Sequence, residues 1–136
     1  MTEIAKRLAV KRIDGPDDSD SSERWNPSWN DIETAIRSLD GETRTLVVLG
    51  IGNPVPHMGI GGGTGGQYIL YETPDNLTFH NLINPNADKG KVRLKAGGQE
   101  AEYRSKLCVR LAEVLQAART YAESGQIDPT LNWEHV

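Results

Sequence analysis

Between Arg104 and Ser124 the apolar residues Leu107, Cys108, Leu111, Val114, Leu115, Ala118 and Tyr121 recur at steps of three and four. That spacing gathers them on one face of an α-helix. Arg104, Lys106, Arg110, Glu113, Gln116, Arg119 and Glu123 fall mostly elsewhere, and Gly125 supplies a left-handed stop. A helix over 104–124 would be about 30 Å long at ~1.5 Å per residue, enough to cover a whole sheet. A long helix with one wide apolar face cannot stand alone. It requires a second layer, and the earlier part of the chain must supply it.

The earlier segments read mainly as strands. Residues 4–13 carry Leu8, Val10 and Ile13 among Lys and Arg, the pattern of an edge strand. Thr45–Ile51 is a buried strand, apolar on both faces, and Asn53-Pro-Val-Pro56 turns the chain after it. His57–Ile60 is a short strand. Gln67–Glu72 and Leu77–Ile83 form a hairpin across Pro74-Asp75-Asn76, and Val92–Leu94 pairs with Ala101–Tyr103 across Gly97-Gly98. Asn84–Gly90 is a loop. A second, shorter helix holds Trp29, Ile32, Ala35, Ile36 and Leu39 in one stripe, with Pro27 near its start and Asn26 or Ser28 as its cap. Asp40-Gly41 ends it. Trp25 stands where a staple to that helix would sit. Ile127, Leu131 and Trp133 are spaced to pin the tail back onto the body.

Consecutive strands with short turns give an antiparallel sheet, so the expected fold is α+β. About five to six strands pack against a long C-terminal helix, with a shorter N-terminal helix. With 136 residues, the chain is expected to form one domain spanning 1–136. Residues 14–23 contain five carboxylates and no large apolar side chain, so 14–24 is expected to be a mobile acidic loop. The single cysteine excludes an internal disulfide framework. No apolar stretch follows Met1-Thr-Glu-Ile-Ala-Lys-Arg7 that would serve as a signal or a membrane span, which places the protein in the cytoplasm. The net charge of −4 argues against direct nucleic-acid binding and permits a basic partner.

The chemistry-bearing residues yield no catalytic, cofactor or metal constellation. Gly61-x-Gly63-x-x-Gly66 matches a dinucleotide fingerprint in letters only. That fingerprint needs a helix after the glycines to hold a pyrophosphate, and here Tyr68–Tyr71 reads as a strand. The glycines are instead a flexible or tightly bulged connection, or bare backbone that a partner approaches closely, with Gly61, Gly62 and Gly63 at its centre. His57, His80 and His135 are scattered, and none has metal-ligand spacing to Cys108 or a carboxylate. Cys108 falls on the apolar face of the long helix. Asp17, Asp18, Asp20 and Glu23 are either a solvated loop or an acidic patch that docks on a basic active-site rim.

Several local patterns occur together. A Trp-x-x-Ile-x-x-x-Ile-x-x-Leu-Asp-Gly helix from Trp29 precedes Leu46-Val-Val-Leu49. A glycine-rich connection leads into Gln67-Tyr-Ile-Leu70. A Gly-Gly hairpin, a helix with Ala117-Ala-Arg-x-Tyr121 and a terminal Asp128-Pro-x-Leu-x-Trp-Glu134 follow. Over about Trp25 to Glu134 this resembles the first immunity-protein family of bacterial polymorphic toxin systems. The resemblance implies a small α+β inhibitor that neutralises a cognate protein toxin, a deaminase among the classes, by binding and occluding it. The family signature has one residue between its Trp and Glu, whereas Trp133 and Glu134 are adjacent. These two residues are the ones the resemblance marks as functional or structural. The alternative is a small biosynthetic enzyme or small-molecule-binding protein on the same scaffold, with His57, Tyr68, Tyr71 and the glycines lining its pocket. A third reading is a subunit or chaperone that stays bound to an enzyme.

Overall fold

The alternation of buried and half-buried residues in Leu46–Gly50 builds the centre of the molecule. Val47 and Leu49 are fully buried on one side, and Leu46 and Val48 are half-buried on the other. The structure, a computed structural model, describes residues 7–20 and 22–136. Its strands are β1 (Arg12–Asp14), β2 (Glu23–Trp25), β3 (Leu46–Gly50), β4 (His57–Gly62), β5 (Tyr68–Thr73), β6 (His80–Leu82), β7 (Lys91–Ala96), β8 (Gln99–Arg104) and β9 (Trp133–His135). Helices α1 (Trp29–Arg37) and α2 (Leu111–Ser124) complete the fold.

Among the described residues the main sheet has seven strands in the order β2-β1-β3-β4-β5-β6-β9, and β7-β8 forms a separate ribbon. All neighbouring strands run antiparallel. The α+β class and the antiparallel sheet agree with the sequence reading. The strand count exceeds five to six because β2 and β9 join the sheet at its two ends. Neither three-residue strand has enough alternation to announce itself.

Both helices lie on one face. Ile32 and Ile36 of α1 and Val114, Ala118 and Tyr121 of α2 pack with Ile13, Val47, Leu49, Met58, Ile60 and Leu70 from the sheet. Ser28 caps α1 in a reciprocal box. Its hydroxyl accepts from the Asp31 N–H at 3.1 Å, and the Asp31 carboxylate accepts from the Ser28 N–H at 2.9 Å.

Four features depart from the sequence reading. The long helix starts at Leu111, not Arg104. Residues 99–104 remain in β8, Ser105–Leu107 forms a single 3₁₀ turn, and Val109 exchanges two backbone hydrogen bonds with Tyr68. Leu107, in that turn, and Cys108, extended after it, share the helical spacing but lie before the helix. The helix is therefore about 21 Å long. The N-terminal strand is Arg12–Asp14, and residues 4–6 of the expected strand lie outside the described residues. Ala9 and Val10 do not pair with a strand, because their N–H groups both donate to the Ala122 carbonyl of α2, at 2.7 and 3.2 Å. Nor is β1 an edge, since β2 pairs along its outer side. Trp25 does not staple α1. It sits in β2, 55% exposed.

Candidate partner-binding face

Strand parity divides the candidate residues between two faces. Tyr68, Leu70 and Glu72 point to the helices, and Ile69, Tyr71 and Thr73 point away. The registers extend this across the sheet. Trp25, Arg12, Gly50, His57 and Thr73 form one row on the face opposite the helices. Glu23, Asp14, Val48, Gly59, Tyr71, Asn81 and Glu134 form the next. Among the described residues, the β7–β8 ribbon is the other element packed on this face, against β4. Tyr68 is thus on the opposite side from His57 and Tyr71. The single pocket drawn from all three in the enzyme reading does not form.

Two glycines flatten this face. A β-carbon at Gly59 would stand 2.3 Å from the Tyr71 ring, and one at Gly61 would stand 2.7 Å from the Ala96 β-carbon of the ribbon. Glycine here lets an aromatic ring and a second layer lie directly on β4. Gly61 and Gly62 are buried, and the exposed tip of the connection is Thr64–Gly66. The Arg12 side chain crosses Gly50 in the same way, donating to the Asp14 carboxylate at 3.2 Å and the Gly52 carbonyl at 3.4 Å. Burial holds the Asp14 carboxyl above its ordinary range, against the pull of Arg12.

At the β2 end, Trp25 donates from Nε1 to Glu23 at 2.6 Å. The acidic segment before it is tied to the body. Asp17 pairs with Arg44 at 3.1 Å, and Asp18 accepts from the Thr45 N–H at 3.1 Å and its hydroxyl at 2.7 Å. Asp20 and Glu23 are exposed. Ser21 lies outside the described residues.

In the middle, His57 is held at both ring nitrogens. Nδ1 lies 2.7 Å from the Pro54 carbonyl, which can only accept, so Nδ1 carries the proton. In the neutral ring, Nε2 then accepts from the Tyr71 hydroxyl at 3.2 Å. Tyr71 also meets Phe79, with ring centroids 5.9 Å apart. Beside them lies an apolar pocket of about 210 Å³, lined by Ile69, Tyr71, Phe79, Asn81, Tyr103 and Leu107 among others. Small-molecule sites run to roughly 300–1,000 Å³. This one is the size of a single large side chain. A wider trough of about 850 Å³ runs on the helix side past Arg7, Lys11, Trp29, Arg119 and Glu123. Apart from Trp29 and Glu123, its polar lining consists of exposed side chains.

At the far edge, Trp133 and Glu134 anchor the tail. Trp133 packs against the core and donates from Nε1 to the Asp128 carbonyl at 2.8 Å. Glu134 accepts from Arg104 at 2.6 Å and lies 3.7 Å from the Lys106 ammonium. Arg104 leads the causes that hold its carboxyl below the usual range.

Two groupings are invisible in the sequence. Asp128, buried, accepts from Thr120 at 2.9 Å and Gln116 at 3.2 Å on α2, and from the N–H and hydroxyl of Thr130. These bonds hold its carboxyl down to about 2. His80 and His135, far apart in sequence, meet at 2.6 Å between Nδ1 atoms beside the buried Glu72. Among the described residues, no three or more of His, Cys, Asp and Glu are grouped as metal ligands. No described helix is long and apolar enough to cross a membrane. No curated protein matches the sequence significantly. A protein-family model, described as immunity protein Imm1, matches residues 20–135.

Proposed function

We propose that this chain, which belongs to the Imm1 immunity protein family, neutralises a cognate toxin by binding it and occluding its active site. The family match, spanning nearly the whole chain, is the observation that carries this reading. A deaminase is the class of toxin that the resemblance implies, and the cytoplasm of the producing cell is where the inhibitor meets it. An interface of standard size takes ~800 Å² from each partner. That is about a tenth of this chain's 7840 Å² surface, and the sheet face away from the helices is the surface proposed to supply it.

On this reading, the β2 end of that face meets the basic rim of the toxin's active site. Trp25 supplies an exposed aromatic anchor, the residue type most enriched at the centres of interfaces. Asp17, Asp20 and Glu23 add negative charge that speeds encounter with a basic surface. Asp18 ties the acidic segment to Thr45, Gly61 lets the ribbon lie on β4, Gly62 and Gly63 shape the connection after it, and Trp133 and Glu134 hold the far edge.

Co-expression with a candidate toxin domain from a neighbouring gene tests the reading. The two proteins should co-purify, growth should be restored, and cytosine or adenine conversions in the nucleic acid of intoxicated cells should disappear. If the toxin kills equally well with and without this protein and the two do not associate, the reading is wrong. Rescue without base conversions would retain the inhibitor and reject the deaminase.

A further inference from the structure

The ribbon end of the open face differs in charge from the β2 end. Arg104 and Lys106 are the chain neighbours of Tyr103 and Leu107, which line the apolar pocket. With Lys89, the same two cations line an adjoining depression of about 340 Å³. Lys91, opposite Arg104 in the ribbon, adds a fourth cation. Against these four stand Asp88 and Glu134. Asp88 accepts from the Gly90 N–H at 2.8 Å, and Glu134 is shared by Arg104 and Lys106. The local balance is positive in a chain that is negative overall.

We infer that the pocket between Tyr71, Phe79, Tyr103 and Leu107 receives one aromatic or leucine side chain of a protein segment with carboxylates beside it. Those carboxylates lie against Lys89, Lys91, Arg104 and Lys106. The inference rests on the toxin-inhibitor reading and specifies it: the segment belongs to the toxin, which is oriented by contributing a basic surface at β2 and an acidic, apolar-anchored one at the ribbon. The pocket volume limits the occupant to a side chain. Tyr71, Phe79, Tyr103 and Leu107 are all half-buried, rigid enough to form walls and open enough to be entered. Single-stranded nucleic acid also stacks on aromatic residues beside cations. Here Asp88 and Glu134 are interleaved with the four cations, which disfavours a polyanion and still admits a short acidic segment.

The test is selection of random dodecapeptides displayed against the full chain, then titration of the selected peptide. The consensus should hold a Phe, Tyr, Trp or Leu flanked by Asp or Glu. Binding should weaken roughly tenfold, the loss of one well-packed anchor, in Phe79→Ala and separately in the exposed pair Lys89→Glu with Lys106→Glu. Added salt should weaken it further. Enrichment of basic peptides or of none, binding unchanged by both variants, or tighter binding of a uridine dodecamer RNA would overturn the inference. Toxin rescue is read in parallel. Unimpaired rescue by both variants rejects this pocket while leaving the inhibitor reading intact. Failure of the unmodified chain to rescue rejects that reading, and peptide binding still decides the pocket.

Discussion

Gly63 and Asp128 show how single residues set this fold. Gly63 has φ of +115°, and a β-carbon there would stand 2.7 Å from the Leu39 carbonyl oxygen. Gly65, at φ +61° with nothing within 4 Å, has only the backbone constraint. Gly63→Ala should therefore cost about 1–3 kcal/mol in urea unfolding, and clearly more than Gly65→Ala. Equal costs would mean that the contact with Leu39 is unimportant. Asp128 joins α2 to the tail through acceptor oxygens that solvent barely reaches. Asp128→Ala leaves Thr120 without its acceptor and Gln116 with Thr130 alone, and should lower stability by about 1–3 kcal/mol. The glycine run was conspicuous in the sequence and its role was not. What constrains Gly59 is a ring at position 71, and what constrains Gly61 is a β-carbon at position 96. Asp128 stood in the terminal pattern, but its link to α2 gave no signal because Gln116 and Thr120 lie a turn apart on another element.

Elements with a strong local period were legible, and those defined by distant partners were not. The α1 stripe and the Gly97-Gly98 hairpin follow from spacing and turn chemistry alone. β2 and β9 are three residues each and are strands only because β1 and β6 are beside them. The start of α2 misled for a related reason: Leu107 and Cys108 repeat its period, but Leu107 closes a 3₁₀ turn and Val109 is held extended by Tyr68. The apolar pocket could not be read at all, since β5, β6, β8 and the following turn each contribute a wall. At this scale β9 is the element most open to testing. It is held by its pairing with β6, by Trp133 and by the ion pairs of Glu134. Glu134→Gln should speed amide exchange at Phe79 and Val136, which exchange backbone hydrogen bonds at this edge, while β3 amides stay protected. Uniform acceleration across both regions would show that the tail does not open by itself.

The whole molecule carries a set of carboxylates that backbone, hydroxyl and guanidinium donors hold ionised. Asp31, Asp40, Asp75, Asp88, Asp128 and Glu134 all lie below their ordinary range, with hydrogen bonds as the leading cause. A depressed folded-state pKa gives stability that is present above the ordinary value, near 3.8 for aspartate, and lost as pH falls towards 2. Glu72 acts in the opposite sense, because burial raises it and its protonation favours the folded state. His80 is depressed chiefly by burial, so it adds a smaller loss that begins below about 6.5. Stability should hold near neutrality and fall below pH 4, and Asp128→Asn should lose less than the parent between pH 4 and 2. Identical acid profiles would remove Asp128 from that set. The position of α2 near the end of the chain also matters before folding is complete. Ribosomes add about 5–20 residues per second, and β1 to β6 emerge while their apolar face still lacks the helix that covers it. Until residue 124 is made and clear of the ribosome, the growing polypeptide exposes that apolar face. On the proposed function, resistance to a toxin would lag behind translation of this message, and a store of finished protein would matter more than rapid induction.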